Sequence, residues 1–433
     1  MIQQVIFLFI LLSAILFFVR NIKKIIRNIG LGQPINRSDN PSERLKIMMK
    51  VAFGQTKMVA RPIPAILHFF VYAGFIIINI KVLEIVLDGL LGTHRIFAES
   101  LGSFYNVLIA SFEWLALSVL LACLIFLIRR NIIKIKRFFG LEMTAWPRAD
   151  ANYILYFEII LMSAFLLMNA SDFKLQQSGT GNNFSAAAFP ISSAVATLLT
   201  SNVDSLIIIE RTFWWLHIIG IFAFLNYLPY SKHFHIIMAF PNTYYSKLEP
   251  KAALDNMPVV TNEVRAMLDP TYTPLNIESS GSFGAKDVKD LTWKSLMDAY
   301  TCTECGRCTS ECPANITGKL LSPRKIVMDT RDRLTEVGNN LDKHGKDFVD
   351  AKTLLDDYIT REELWACTTC QACLKACPVN IDPLAIIMDL RRYVVMEESK
   401  APLSINNMLS NVENNGAPWK YAATDRFNWS NKA

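Results

Sequence analysis

Cys302-Thr-Glu-Cys305-Gly-Arg-Cys308-Thr-Ser-Glu-Cys312-Pro313 is the stretch that decides the fold of the soluble half of this 433-residue chain. A second stretch repeats its spacing and reads Cys367-Thr-Thr-Cys370-Gln-Ala-Cys373-Leu-Lys-Ala-Cys377-Pro378. Both have the form C-x2-C-x2-C-x3-C-P, the run with which small electron carriers hold a pair of [4Fe–4S] clusters. The first three thiolates of a run bind one cubane, and the fourth, before proline, binds the other.

This spacing distributes eight cysteines over two clusters in a crossed arrangement. We expect one cluster to be held by Cys302, Cys305, Cys308 and Cys377, and the other by Cys367, Cys370, Cys373 and Cys312. The alternative is a pair of zinc sites, but zinc motifs use two C-x2-C pairs separated by a longer gap. The ninth cysteine, Cys123, lies alone in an apolar run, where we predict a small apolar helix residue.

Helix signals surround the two cysteine runs. Ser322-Pro323 predicts a helix start in the insert 314–366, because proline is favoured in the first turn. Thr360-Arg-Glu-Glu363 has the form of a capping box. Ile381-Asp382-Pro383 opens a further helix that we expect to run to about Met396. The sequence therefore predicts an α-helical ferredoxin-type domain at 291–400, with little sheet, followed by an irregular C-terminal tail at 401–433.

Five apolar runs in residues 1–240 predict a membrane domain. The chain is 52% hydrophobic and 19% charged, against roughly 25% charged in an average protein. A membrane-spanning helix needs about 20 apolar residues. The runs near that length are Ile2–Val19, Ile63–Val82, Phe104–Ile128, Tyr153–Met168 and Leu206–Leu228. The predicted fold class is therefore all-α: a transmembrane helical bundle of about five helices plus the ferredoxin-type domain, joined by a linker at 241–290.

The distribution of basic residues between the loops predicts the orientation. Residues 20–61 contain ten Lys/Arg and residues 129–149 contain six, whereas 89–107 and 171–205 contain one each. Loops rich in Lys and Arg stay in the cytoplasm. We therefore expect a multi-pass protein of the cytoplasmic (inner) membrane, with its N-terminus outside and its iron–sulfur domain in the cytoplasm. The net charge of +6 reflects these loops rather than a nucleic-acid partner.

Three histidines in or beside the predicted spans are candidate haem b ligands, because haem iron is commonly held by imidazole. His68 and His235 lie at similar depth near the predicted cytoplasmic side and could hold one haem. His217 precedes His235 by eighteen residues, about 27 Å along a continuous helix, and the second run carries Ile78 rather than histidine at that depth. Three interpretations of His217 remain open: it is unpaired, it binds a quinone, or it pairs with His68.

Two acids, Glu113 and Glu158, also fall within the predicted spans. Ionisable groups inside a membrane usually have a function, and these two suggest a proton or quinone pathway. The alternative is a pair or an interface contact with Trp, Tyr or Arg.

The residues around the histidines carry a family resemblance. Trp215-Leu-His217…Pro229-Tyr-Ser231-Lys-His-Phe-His235 resembles the haem-binding helix of the nitrate reductase gamma subunit, which has the same His–Pro–Ser–His spacing. Arg61-Pro…His68…Gly74-Phe75 resembles the other ligand helix of relatives in the heterodisulfide-reductase group. From about Asp290 to Trp429, the chain is similar to the iron–sulfur subunits of heterodisulfide reductases and of anaerobic glycerol-3-phosphate dehydrogenase.

This resemblance implies an electron-transfer subunit of a respiratory oxidoreductase. Electrons would pass between the membrane quinone pool, haem b, two [4Fe–4S] clusters and a cytoplasmic dehydrogenase or reductase. The gamma subunit has two ligands on its early helix, and only His68 matches here, so one haem is expected and a second, at His217, stays open. Many fused relatives continue into cysteine-rich CCG domains, which implies a separate cytoplasmic partner subunit with such domains, or a flavin protein.

Two other functions are weighed against this one. A self-contained quinone oxidoreductase would need its own substrate site, but the sequence contains no glycine-rich dinucleotide fingerprint and no nucleophile constellation, so no catalytic residue is assigned. A redox sensor or scaffold predicts exposed, labile clusters and no haem. Two full sets of cysteine ligands and the membrane histidines disfavour that function.

Overall fold

The computed structural model describes residues 1–179, 188–250, 253–275 and 282–431. The helices in these ranges are α1 (Ile2–Ile29), α2 (Pro41–Met48), α3 (Pro62–Leu91), α4 (Ile96–Leu101), α5 (Ser103–Leu127), α6 (Ala145–Gln177), α7 (Ser192–Ala196), α8 (Val203–Tyr227), α9 (His235–Tyr244), α10 (Pro258–Leu268), α11 (Trp293–Thr301), α12 (Arg307–Ser310), α13 (Pro313–Ile316), α14 (Pro323–His344), α15 (Leu354–Asp357), α16 (Arg361–Ala366), α17 (Ala372–Ala376), α18 (Pro383–Arg392) and α19 (Leu403–Asn415). These ranges contain no β-strand, only isolated bridges from Gln33 to Thr292 and from Leu355 to Ile359. The predicted all-α class is confirmed.

Five of the helices are long and apolar enough to cross a membrane, as the apolar runs predict. They are Ile2–Ile29, Pro62–Leu91, Ser103–Ile132, Ala145–Gln177 and Val203–Tyr230. The fourth is much longer than its apolar run, because polar residues near its ends are buried and hydrogen bonded within the protein. Asp150 accepts from the main-chain N–H of Lys232 at 3.1 Å, and Asp172 accepts from Arg95 at 2.7 Å. A count of apolar residues therefore underestimates the length of this helix.

Contacts divide the chain into two compact units. The first consists of Met1–Arg27, Asn40–Ser246 and Tyr300–Gly306, and the second of Asn28–Asp39, Lys247–Ala299 and Arg307–Ala433. Two short segments, Asn28–Asp39 and Tyr300–Gly306, are each grouped with the unit that the other part of the chain forms, and the domain boundaries at 240 and 290 stay a prediction. As a result, Cys302 and Cys305 belong to the unit that contains the long apolar helices.

Inside the first unit, the apolar helices pack side by side. α6 packs against α5 and α8, and α5 also packs against α3. Phe112, Phe165 and Ile218, one from each of α5, α6 and α8, are fully buried in the shared core. Gly74 allows α3 to approach α5 closely, since a Cβ at this position would lie 2.5 Å from Val119 Cγ2.

One end of this bundle is held together by a buried polar network around Arg95. Arg95 follows α3 and donates from Nε to Asp172 at 2.7 Å, from Nη1 to the Tyr105 hydroxyl at 3.2 Å and from Nη2 to Asn169 at 3.2 Å. Its own main-chain N–H donates to Asp88 at 2.9 Å. Arg95 thereby joins α5 and α6 through its guanidinium and α3 through its main chain.

The second unit contains the helices that the sequence signals predict. Ser322 caps α14 by accepting from the N–H of Lys325, and Thr360 and Glu363 form both bonds of the capping box at α16. α14 and α16 each pack against α18. α18 continues as a wider helical turn over Tyr393–Glu397, in agreement with the predicted end near Met396.

The predicted linker and the tail predicted to be irregular each contain a helix. α10 lies within the linker at 241–290, and α19 occupies much of the tail at 401–433. The tail prediction is wrong over Leu403–Asn415. Its start and stop signals are present in the sequence: Pro402 precedes the first turn, and Gly416 adopts a left-handed cap whose N–H donates to Val412. Ile405, Met408, Leu409 and Val412 also follow the i, i+3, i+4, i+7 spacing of an apolar helix face, so local periodicity indicates this helix as well.

We predict that Arg95→Met destabilises the membrane unit by about 3–5 kcal/mol, because removal of one partner leaves a buried carboxylate uncompensated. The midpoint of thermal unfolding in detergent should fall. The double variant Arg95→Met/Asp172→Asn should recover part of the loss, since it removes the stranded charge. A single variant that unfolds like the wild type would show that the network does not stabilise the fold.

Candidate iron–sulfur and haem sites

The two cysteine runs have the same local backbone. In each, the second residue after the first cysteine is left-handed, with φ of 51° at Glu304 and 57° at Thr369. The fourth residue repeats the match, with φ of 70° at Gly306 and 59° at Gln371. Left-handed conformations are uncommon for residues with a side chain, so their recurrence at equivalent positions indicates a shared structural requirement.

Main-chain N–H groups point at sulfur in both runs. The N–H of Glu304 donates to Cys302 Sγ at 3.4 Å, and the N–H of Thr369 donates to Cys367 Sγ at the same distance. Hydrogen bonds of this kind stabilise thiolates and tune the potentials of iron–sulfur clusters. The residues therefore fit [4Fe–4S] clusters in their donor chemistry and in their backbone shape.

In the second unit, Cys312 lies among the cysteines of the other run. Burial raises the pKa of the Cys367 thiol, and the nearby thiolates of Cys312 and Cys370 raise it further. Burial raises the pKa of Cys373, and the negative charges of Asp382, Cys367 and Cys312 raise it further. α12, which carries Cys308, packs against α17, which carries Cys373. Cys308 and Cys373 thus lie on helices that pack together, and crossed ligation of the two clusters stays a prediction.

The cysteines differ in exposure. Four of them, Cys302, Cys312, Cys373 and Cys377, are buried, while Cys370 is exposed. Within the described ranges, no three His, Cys, Asp or Glu side chains converge as the ligands of one metal ion do. The four cysteines of a cubane each bind a different iron and stand farther apart than such ligands.

His68 on α3 and His235 at the start of α9 face each other. Their ring centres are 6.5 Å apart, with an angle of 39° between the ring planes. A bond of about 2 Å from metal to imidazole nitrogen places two rings on opposite sides of one metal roughly 6 Å apart, centre to centre. The pair predicted from depth along the helices is therefore brought together at a separation that suits one iron.

Both rings are oriented by oxygen atoms at Nδ1. His68 Nδ1 lies 3.0 Å from Gln55 Oε1, and His235 Nδ1 lies 2.9 Å from the Lys232 carbonyl oxygen. A ring that donates its Nδ1–H to oxygen presents Nε2 in the form that binds metals. Burial also lowers the pKa of His235, which keeps that ring neutral.

A third imidazole, His233, belongs to the same group and is not among the sequence-based candidates. Its ring centre is 5.6 Å from that of His235, at 86°. Burial, with His235 and His68 nearby, lowers the pKa of His233 to about 3. Only its position two residues before His235 could have indicated it, and the His–Pro–Ser–His spacing selects His235 instead.

A chain of contacts joins the first cysteine run to this histidine pair. Glu304, between Cys302 and Cys305, forms a buried ion pair with Lys232, and the carbonyl oxygen of Lys232 accepts from His235. Lys232 Nζ also donates to the Pro147 carbonyl at 2.5 Å. All of these residues lie in the first unit.

His217 on α8 lies in different surroundings. Its Nδ1 is 3.0 Å from the Leu161 carbonyl oxygen, and its buried Nε2 has no hydrogen-bond partner among the described residues. It lines a cavity of about 80 Å³ together with Ile78 and Glu158. No histidine other than His217 is among the described residues that line this cavity.

The acids within the spans have unlike roles. Glu113 is fully buried and accepts from Asn169 at 3.1 Å and from the main-chain N–H groups of Ile191 and Ser192 at 2.9 and 3.1 Å. It is a structural contact that anchors the start of α7. Glu158 has no ion pair or hydrogen bond of its side chain within the described ranges and faces the His217 cavity.

The comparisons with known proteins agree with the cysteine chemistry. Residues 301–381 match the family model described as a 4Fe-4S dicluster domain. The probable iron–sulfur-binding oxidoreductase FadF of Bacillus subtilis is 29% identical over an alignment that covers 100% of this chain and 61% of FadF. EtfAB:quinone oxidoreductase of Syntrophomonas wolfei is 25% identical over 91% of the chain and 55% of the relative.

A third relative matches a smaller part of the chain. It is a subunit of the ferredoxin/F(420)H(2)-dependent CoB–CoM heterodisulfide reductase of Methanosarcina acetivorans, 34% identical over 24% of this chain and 52% of the relative. No solved structure matches the chain. The chain spans about three fifths or less of the length of FadF and of the quinone oxidoreductase. It is related to iron–sulfur oxidoreductases, it contains a 4Fe-4S dicluster domain, and it carries five helices able to cross a membrane.

Proposed function

We propose that this chain is a membrane electron-transfer subunit that connects the quinone pool with a cytoplasmic dehydrogenase or reductase. When bound, two [4Fe–4S] clusters and a haem b would supply its one-electron redox chemistry. The contact chain from Cys302 through Glu304 and Lys232 to His235 carries this proposal. It joins the ligands proposed for a cluster to those proposed for the haem, over a few bonded and hydrogen-bonded steps.

The residues proposed for each group are the ones that the cysteine spacing and the positions of the histidines predict. Cys302, Cys305, Cys308 and Cys377 would hold one cluster, and Cys367, Cys370, Cys373 and Cys312 the other. His68 and His235 would hold the haem, oriented by Gln55 and by the Lys232 carbonyl oxygen. We also propose that the membrane domain resembles the haem-binding domain of the nitrate reductase gamma subunit.

The proposal also covers the side of the membrane on which the iron–sulfur domain lies and the protein that exchanges electrons with it. The basic segments 20–61 and 129–149 favour a cytoplasmic position for the iron–sulfur domain, by the positive-inside rule. One relative is named as part of a heterodisulfide reductase, which supports a separate cysteine-rich or flavin-containing protein as the electron donor or acceptor. The relative named as a quinone oxidoreductase favours, as a second candidate, a chain that reacts with quinone as its own substrate.

We predict about eight iron atoms per chain, four in each cubane. Cys312→Ser should lower this number to about four and remove the same electron paramagnetic resonance signal as Cys373→Ser. Cys377→Ser should instead remove the signal that Cys302→Ser removes. The buried Cys123 is the matched control, since Cys123→Ser should keep both signals. A Cys312→Ser protein that loses the signal of Cys302→Ser would refute crossed ligation.

Haem binding is expected to depend on two histidines. His68→Ala and His235→Ala should each abolish the haem b band in the reduced-minus-oxidised spectrum, because each removes an axial ligand. His233→Ala and His217→Ala should retain one haem per chain. Loss of the band in His233→Ala with retention in His235→Ala would transfer the ligand role to His233.

Reduction of the purified full chain in lipid nanodiscs tests the function. Duroquinol should reduce haem b and then a cluster in the wild type. The double variant Lys232→Met/Glu304→Gln should retain both groups but slow the second reduction, because it interrupts the contact chain and leaves neither charge of the ion pair without its partner. Tagged chain purified from its native membranes should bring down a soluble redox protein. Wild-type protein that carries both groups and is reduced by neither duroquinol nor a copurified protein would overturn the proposal.

A further inference from the structure

The cavity beside His217 lies inside the apolar bundle of the first unit. It is lined by residues of α3, α5, α6 and α8, among them Val71, Ile78, Val119, Leu161 and Phe224. A single water needs at least about 10–15 Å³ of such space, so about 80 Å³ has room for roughly five water-sized groups or one small ring. The walls are almost entirely apolar, which suits a lipophilic ligand rather than a cluster of waters.

The polar atoms that face the cavity are few and well defined. His217 is 1% exposed, and the contact of its Nδ1 with the Leu161 carbonyl oxygen fixes the Nδ1–H tautomer. Nε2 is then a lone-pair acceptor with no partner among the described residues. A buried acceptor without a donor costs free energy, so this atom calls for a ligand that supplies a hydroxyl or an N–H.

Glu158 provides a second polar group on the same wall. No ion pair holds it within the described ranges, in contrast to Glu84, whose carboxylate is bonded to Lys81 at 2.5 Å. An unpaired carboxyl in an apolar bundle is costly when ionised and is suited to exchanging a proton with a ligand.

The cavity has an opening on the outer surface of the helices. Phe75 and Asn79, which lie one turn apart on α3, line it and are both exposed. A helix face that is exposed within a membrane span contacts lipid, so a ligand dissolved in the bilayer can reach His217 from the side.

We propose that this cavity binds the head group of a hydroquinone, with His217 Nε2 accepting one phenolic O–H and Glu158 receiving a proton on oxidation. The inference rests on the proposed function for the acceptor of the electrons. Oxidation of a hydroquinone to the quinone releases two protons and two electrons. The protons leave through His217 and Glu158, and the electrons pass one at a time to the haem proposed for His68 and His235. Reduction of a quinone is the same sequence reversed.

Equilibrium binding of duroquinol to the full chain in nanodiscs, with the clusters and haem present, tests the site. Binding is measured under anaerobic conditions with the redox centres already reduced by dithionite, so that the ligand is not consumed. His217→Gln should raise the Kd about tenfold, the loss expected for one hydrogen bond in a desolvated site. Ile78→Phe, which fills the cavity without touching either polar group, should also weaken binding. His94→Gln, outside the cavity, should leave the Kd unchanged.

The rate of haem reduction distinguishes the role of Glu158 in proton transfer from the role of His217 in binding. Starting from oxidised protein, Glu158→Gln should reduce the haem at least about tenfold more slowly than the wild type, because a positioned proton acceptor is lost. Its Kd for duroquinol should stay within about threefold of the wild-type value, since Glu158 is not the group that accepts the phenolic O–H. The midpoint temperature of unfolding and the haem content are measured for every variant. If His217→Gln does not fold, the Kd of Ile78→Phe tests whether duroquinol binds in the cavity.

The outcomes distinguish this inference from the proposed function. A wild type that binds duroquinol at the cavity but transfers no electron supports the site and overturns the function. Unchanged binding in both His217→Gln and Ile78→Phe overturns the site, even if duroquinol still reduces the haem. Loss of a second haem in His217→Gln also overturns it, since His217 would then be an axial ligand.

Discussion

The ion pair between Lys232 and Glu304 connects the first cysteine run with the segment that carries His235. Both side chains are nearly buried, with 10% and 3% of their surface exposed. Such a pair adds little net stability, but loss of either partner leaves a buried charge, so it strongly favours one arrangement of the chain over others. Here that arrangement fixes the turn between Cys302 and Cys305 beside the residue whose carbonyl orients His235. Asp150, 3.8 Å from Lys232 Nζ, adds a second negative charge to the same cation.

Three histidines of the first unit make the same kind of hydrogen-bond contact at Nδ1, but their Nε2 atoms have different surroundings. His68, His235 and His217 each place Nδ1 about 3 Å from an oxygen, a side-chain amide in the first case and a main-chain carbonyl in the others. This contact selects the tautomer in which Nε2 is the acceptor. For the first two rings, another imidazole lies across the gap. For His217, the described residues that line the cavity include no second histidine, so the same ring chemistry is directed toward a different ligand.

The sequence predicts the features that depend on local spacing and misses those that depend on packing. Cysteine spacing, apolar runs and the capping box at Thr360 are short-range signals, and each corresponds to an element of the structure. The full length of α6 could not be foreseen, because Asp150 and Asp172 become acceptable in a helix of this kind only when partners from other segments bind them. The position of His233 and the cavity beside His217 are likewise set by neighbours distant in sequence. The helix α19 is a different case, because its caps and the spacing of Ile405, Met408, Leu409 and Val412 are local signals that indicate a helix.

The position of Cys312 among Cys367, Cys370 and Cys373 has a consequence for how the protein matures. A cluster bound by these four residues would act as a cross-link, closing a loop that contains the whole of α14, α15 and α16. Closing a long loop removes much of the conformational freedom of the unfolded chain, so iron would stabilise this region as a disulfide stabilises a secreted domain. The ligand set is complete only after Cys373 has been synthesised. Cluster delivery must therefore follow translation of the entire insert, and until then the region between Cys312 and Cys367 would lack this cross-link.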